Sequence, residues 1–528
     1  MKKFKFIIST LFGLMLVASI PACTDHFDEL NTSPTLVGAD VVNPAQLFTR
    51  SVRNGVYEVP SYSGFAGAIS GHYISPASGN IFLLNVYPSP FNMYNTQIID
   101  IAETIRLTEG EEWYANLNAM SRIWRVWLFQ QITDHYGDIP YFEAALAQDE
   151  TVPFPAYDTQ REIYVDMMEQ LRQAASDLQD SADRLDVGQQ DLIYNGNVEM
   201  WRRFANSLRL RYALRVRFAD EQLAAQHISE VINAPLIEDN SQNAYVMTLP
   251  DGTQFNSNRH PVFNQNVNPL NPLTCAHTRV SNMRAAQSED LDMDDPRLPV
   301  LCTPSPTDGE YRGRLLGGRE GYGWFNGNNN ISRLGPKALQ SDQPINLMTY
   351  AEVEFNKAEI YLAGLASGDA QSAYQAGLRS ALEFPFWELD EADISAFMAS
   401  SAGSLSGDNE VQLRKISTQR FLALYNQVAE SYSEFRRTGY PTTYLDAAEE
   451  GVTNRQIPRR FTYPTSEYEV NTQNVQQAAE RLDSGDNLMS RIWWDARPGL
   501  PIEHPHTGIY PPPPDQDITQ EEFEQQFN

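Results

Sequence analysis

Apolar residues recurring three and four positions apart constrain this chain more than any other feature, because only a helix gathers such positions onto one face. From Trp113, which opens one such face, the spacing runs through Leu117, Met120, Trp124, Trp127 or Leu128, and Ile132. Leu347, Ala351, Phe355, Ala358, Leu362 and Leu365 repeat it, and Thr349 with Glu352 stands at capping-box separation near its start. Phe421, Leu424, Val428, Tyr432 and Phe435 form a third face, which Gly439 and Pro441 bring to an end. Thr159 and Glu162 set another capping box at the head of a further helix. Short joints between successive helices, as between 347–365 and Ala370–Leu382, predict a mainly α fold of stacked helical hairpins of the tetratricopeptide kind. No strict repeat consensus is visible, so the expectation rests on architecture.

The stretch "DHYGDIPYFEA", Asp134 to Ala144, places two aspartates and a histidine close together. A catalytic acid–base reading lacks a nucleophile or a metal partner. The physical reading is a helix stop: Asp134 and His135 fall in the last turn, Gly137 suits a left-handed C′ position, and Pro140 prevents resumption. His135 complements the partial negative charge of a helix C-terminus, whereas Asp134 opposes it and requires a cationic partner. "WRRFANSLRLRYALRVRF" offers one. Trp201, Phe204, Ala205, Leu208, Tyr212 and Val216 share a face there, with Arg211 and Arg215 at its edge. A cation beside a core face is costly unless paired, so Arg211 or Arg215 is expected to reach Asp134 or Asp138 in a structural polar network.

The N-terminus carries an address. Lys2, Lys3 and Lys5 precede an apolar run, Phe6 to Ile20, of signal-peptide length and too short to span a bilayer. "IPAC" then resembles a bacterial lipoprotein cleavage box, although Pro21 departs from the usual pattern. Residues 1–22 are read as a lipoprotein signal peptide, 23–43 as a tether lipidated at Cys23, and 44–528 as one domain. Ordinary signal-peptidase cleavage nearby, with Cys23 incidental, is the alternative. The remaining cysteines, Cys275 and Cys302, are free to join in an exported protein or to stay apart. A net charge of −29 disfavours nucleic acid and anionic membrane surfaces as partners.

Two long segments lack helical period: 57–91, with Tyr57, Tyr62, Phe65, Tyr73, Phe82 and Tyr87, and 304–344, with "GGREGYGWFNGNNN". Connections of this length are uncommon without a function. Flat rings cover the C–H faces of sugars while amide groups reach hydroxyls. Tyr73, Asn80, Phe82, Tyr87, Tyr322, Trp324, Phe325 and Asn326 are therefore the candidate ligand contacts. The competing reading is that the rings pin loops onto the helical core. No metal or cofactor is called for. "DLDMDD" has acids at EF-hand positions, but Asp295 replaces the required glycine and Leu301 the bidentate glutamate. "GYGWFNG" is not a dinucleotide fingerprint, and neither HExxH nor GxSxG occurs.

"DHYGDIPYFEA", "DLIYNGNVEMWRRFANSLRLRYALRV", "NLMTYAEVEFNKAEIYLAG", "ISTQRFLALYNQVAESYSEFRRTGYP" and "IPRRFTYPTSEYEVNTQNVQQAAERL" with the later "WWD" resemble, in order, blocks of the SusD/RagB family of nutrient-binding lipoproteins. "CTDHFDELNTSPT" and "DPRLPVL" are similar to further segments of that family. The resemblance implies four tetratricopeptide-like units in a right-handed superhelical scaffold with a loop-rich region laid over them. It also implies a lipid-anchored, non-enzymatic protein on the external face of the outer membrane. Such a protein captures oligosaccharides, or peptides in some relatives, and acts as the lid of a SusC-like TonB-dependent transporter. An exported hydrolase is the remaining reading.

Overall fold

The structure is a computed structural model describing residues 42–61, 67–74, 89–145, 152–180, 187–250, 252–253, 256–266, 273–314, 330–443 and 456–500. The chain divides into two units, Met1–Pro44 and Ala45–Asn528. The expected signal peptide, Cys23 and nearly all of the tether lie outside the described residues.

The fold is mainly helical. The longer helices are α1 (Pro44–Ser61), α2 (Gln97–Thr108), α3 (Ala115–Tyr136), α4 (Gln160–Asp177), α5 (Val198–Arg215), α6 (Glu221–Val231), α7 (Tyr350–Leu362), α8 (Ala370–Leu382), α9 (Glu391–Ala399), α10 (Asn409–Ala423), α11 (Val428–Thr438) and α12 (Thr472–Glu480). Consecutive helices pack on one another from α2 through α6, and α7 packs on α8, as stacked hairpins require. Among the described residues three antiparallel strand pairs accompany them: β1 (Tyr73–Ile74) with β5 (Thr274–Cys275), β2 (Ala244–Met247) with β6 (Pro344–Met348), and β3 (Gly252–Thr253) with β4 (Asn256–Ser257). Cys275 and Cys302 form a disulfide.

Local chemistry explains where the helices begin and end. Thr159 accepts from the Glu162 amide while the Glu162 carboxylate returns to the Thr159 backbone, a closed capping box. The matching signature at α7 closes on one side only. Thr349 accepts from the Glu352 amide, but the Glu352 carboxylate is held by Arg211. Leu347, expected on the helix, lies in β6 instead. Trp113 also leaves its expected place: it sits in a short 3-10 turn before α3 and is 52% exposed. From Leu128 to Tyr136 every residue of α3 is buried, polar ones included, so this is a central helix and not an amphipathic surface one.

The face from Phe421 to Phe435 belongs to two helices, not one. α10 ends at Ala423 and α11 starts at Val428, with Asn426 at φ +64° between them. The apolar spacing survives the break because Leu424 and Val428 both remain buried. Periodicity therefore reads straight through a break that Asn426, donating to Gln343 Oε1 at 2.9 Å, fixes.

Candidate functional site

The cluster that opened the catalytic question is a structural hub. α3 stops at Gly137, whose φ of +86° and ψ of −118° lie outside the left-handed helical well but demand glycine all the same. Arg215 Nη1 donates to Asp134 Oδ2 at 2.6 Å and Nη2 donates to Glu430. Trp494 Nε1 at 2.8 Å and the Tyr164 hydroxyl at 2.5 Å donate to the other Asp134 oxygen. Arg211 turns elsewhere and pairs with both Glu352 oxygens, at 2.5 and 2.6 Å. Asp138 accepts from the Gln160 amide at 2.8 Å and from Arg481 at 2.5 Å. His135 Nδ1 lies 2.5 Å from the Gln131 carbonyl; burial, reinforced by Arg436, pulls its pKa down to about 4. Each of the three residues is thus occupied by the fold.

The hub extends through α7, α10 and α11. Glu359 meets Arg437 at 2.6 Å, Arg420 at 2.7 Å and Arg217 at 3.0 Å. Burial would raise its pKa, but these three guanidinium groups outweigh it and hold the carboxyl well below the usual range. Buried charges of this number survive only because each is paired and hydrogen-bonded.

A different arrangement brings together the described residues that border the two aromatic segments. Ile74 and Arg314 are the last described residues before 75–88 and 315–329. Thr274 touches both: its hydroxyl donates to the Ile74 carbonyl at 2.9 Å and accepts from Arg314 Nε at 3.2 Å. Backbone bonds reinforce the junction, with Arg314 N on Cys275 O at 2.8 Å and His277 N on Arg314 O at 2.7 Å. Gly313 allows this approach, since a Cβ there would meet Ala276 O at 2.4 Å. The disulfide to Cys302 fixes the same run from the other side. The short run Thr274–His277 is therefore the common anchor from which both segments leave.

Seven of the candidate ligand contacts, Asn80, Phe82, Tyr87, Tyr322, Trp324, Phe325 and Asn326, lie outside the described residues. Tyr73 is described and is a correction: at 2% exposure, in β1, its ring is covered by Gly67 and occupies a core position. Beside it stands Arg279, 1% exposed, with Nη2 at 2.8 Å from His72 Nδ1 and its guanidinium 5.5 Å from the Tyr425 ring centre. Burial lowers the Arg279 pKa to about 10 and drives that of His72 well below its usual value. Sequence reading missed Thr274, Arg279 and Arg314, because a two-residue strand, a five-residue helix and a single β-bridge leave no detectable period. The acids of "DLDMDD" also have protein partners: Asp290 with Arg414 at 2.9 Å, Asp292 with the Ser401 amide at 3.0 Å, and Asp294 with the Ala285 amide at 2.7 Å.

Stacked helical hairpins around a buried ion network, with Ile74 and Arg314 joined at one anchor, define a mainly helical scaffold protein. The SusD-like family, described as starch-binding associating with outer membrane, matches residues 65–464, and the chain belongs to that family. Solved structures share the fold. A chitin-binding protein superposes with a TM-score of 0.74 at 23% identity, covering 86% of this chain and 100% of its own. A SusD homolog from Parabacteroides distasonis gives 0.72 at 23%, covering 86% and 98%. A chitin-binding SusD homolog from Flavobacterium johnsoniae gives 0.70 at 23%, covering 86% and 99%. No curated protein matches.

Proposed function

We propose that this protein captures oligosaccharides on the face served by the Thr274–His277 anchor and delivers them to a SusC-like TonB-dependent transporter, over which it acts as a lid. The observation that carries the reading is the single Thr274 hydroxyl joining Ile74 to Arg314, because it makes the two ring-bearing segments neighbours at their base. Neighbouring loops let rings from one and amides from the other meet the same sugar, the combination glycan sites use. Membership of a family described as starch-binding supports a carbohydrate ligand, and so do the chitin-binding titles of two similar structures. Among the described residues no helix is long and apolar enough to cross a membrane. Attachment to the outer membrane is assigned to a lipid on Cys23, with 23–43 as tether, on the external face.

Calorimetric titration of the mature chain against malto- and chito-oligosaccharides, with peptides alongside, tests the reading. Saturable binding of an oligosaccharide, with no product after long incubation, is expected. Binding of peptides alone would transfer the role to a peptide lid, and cleavage of the bound glycan would make the protein a hydrolase.

A further inference from the structure

A cleft of about 300 Å³ opens where α2, α3 and α4 meet the loop after Pro140, at the small end of the range that ligand pockets occupy. Its lining shares no residue with the loop anchor. Ala102 and Ile105 supply an apolar wall, and Phe142, 47% exposed, presents its ring at the edge.

The three arginines of the cleft are not equivalent. Arg106 is neutralised by Glu103 through bonds of 2.7 and 2.6 Å. Arg122 is committed to Asp177 and Asn118. Arg125 has no carboxylate at ion-pair distance among the described residues. Its hydrogen bonds go to the hydroxyl and carbonyl of Tyr141, at 3.3 and 3.2 Å, both long. Its guanidinium lies 4.6 Å from the ring centres of both Phe129 and Tyr141. Two aromatic faces fix the plane of a guanidinium without cancelling its charge. Asp166 accepts from the Tyr141 hydroxyl at 2.6 Å. Arg125 is thus held in place, still cationic, on the wall of a cleft large enough for a sugar unit.

We propose that this cleft is a second binding site, for a hexuronic acid. The uronate carboxylate pairs with Arg125, for which a planar guanidinium is well matched. The sugar ring lies against Phe142. Glu109, the lining acid with no cationic partner among the described residues, accepts from ring hydroxyls and repels a second acid. The site therefore favours one acidic sugar over a neutral sugar or a diacid. It stands independently of the loop-borne glycan site.

Titrating the mature chain with D-glucuronate, D-glucose and acetate tests this. Glucuronate is expected to bind about tenfold more tightly than either control, the scale of one charge-assisted hydrogen bond. Arg125→Gln and Phe142→Ala should each remove that preference, while Trp324→Ala leaves it intact. Should Arg125→Gln fail to fold, Phe142→Ala, at an exposed ring, decides alone. Equal affinity for the three ligands, an unchanged Phe142→Ala, or loss of glucuronate binding in Trp324→Ala would each overturn the assignment.

Discussion

Arg215 of α5 donates to Asp134 of α3 at 2.6 Å with both side chains fully buried, so this pair ties α5 to α3, and the same guanidinium reaches Glu430 of α11. Removing one partner strands the other charge in a medium that cannot solvate it. Arg215→Met should cost about 3–5 kcal/mol of stability, read by urea unfolding followed by circular dichroism. Asp134→Lys should be worse, because it sets a second cation against Arg215. An Asp134→Lys chain as stable as the wild type would remove the hub from the account of the fold.

The disulfide closes a loop over a sequence separation of 27. On the chain-entropy view such a closure contributes about 3–4 kcal/mol. Cys275→Ser with Cys302→Ser should lower stability by roughly that amount in the same unfolding measurement. Because Cys275 belongs to the common anchor, oligosaccharide affinity should fall as well.

The stop signal in "DHYGDIPYFEA" and the need for a cation at Asp134 were both legible, because capping and helix-dipole chemistry are local and leave their mark in neighbouring residues. The choice of Arg215 over Arg211 was not. It depends on Glu352, 141 residues from Arg211 in sequence, reaching Arg211 first. The break between α10 and α11 was hidden because apolar spacing continues across it. The segment expected to lack helical period from Tyr57 begins inside α1, which runs to Ser61, and Tyr73 shows the cost of composition-based choice: a ring in an aromatic segment is as well suited to the core as to a ligand. Thr274, which brings the segments together, gives no signal of its own, since its role is defined only by Ile74 and Arg314.

His260 is fully buried, and burial lowers its pKa to about 3. The unfolded chain holds this histidine near its ordinary value of about 6.5. Between these values the unfolded state binds the extra proton, so stability is complete above about pH 6.5 and falls as the solution is acidified. His260→Gln should flatten that dependence by up to about 1.4 kcal/mol per pH unit, with the wild type and variant compared by unfolding across this window. Identical pH profiles would show that the site is solvated.

Thr274→Val keeps the shape of the side chain and deletes both of its hydrogen bonds. Stability should drop by no more than about 1–3 kcal/mol. Oligosaccharide affinity should fall measurably in titration, because the two segments lose their shared tie. Wild-type affinity in a folded Thr274→Val chain would mean that the segments keep their positions without it.

Hydrogen–deuterium exchange on the mature chain, with and without saturating oligosaccharide, bears most directly on the idea that both segments serve one ligand. Expected is slowed exchange in peptides from 75–88 and 315–329 together, with the same dependence on ligand concentration. Protection confined to one segment, or found only elsewhere in the chain, would contradict it.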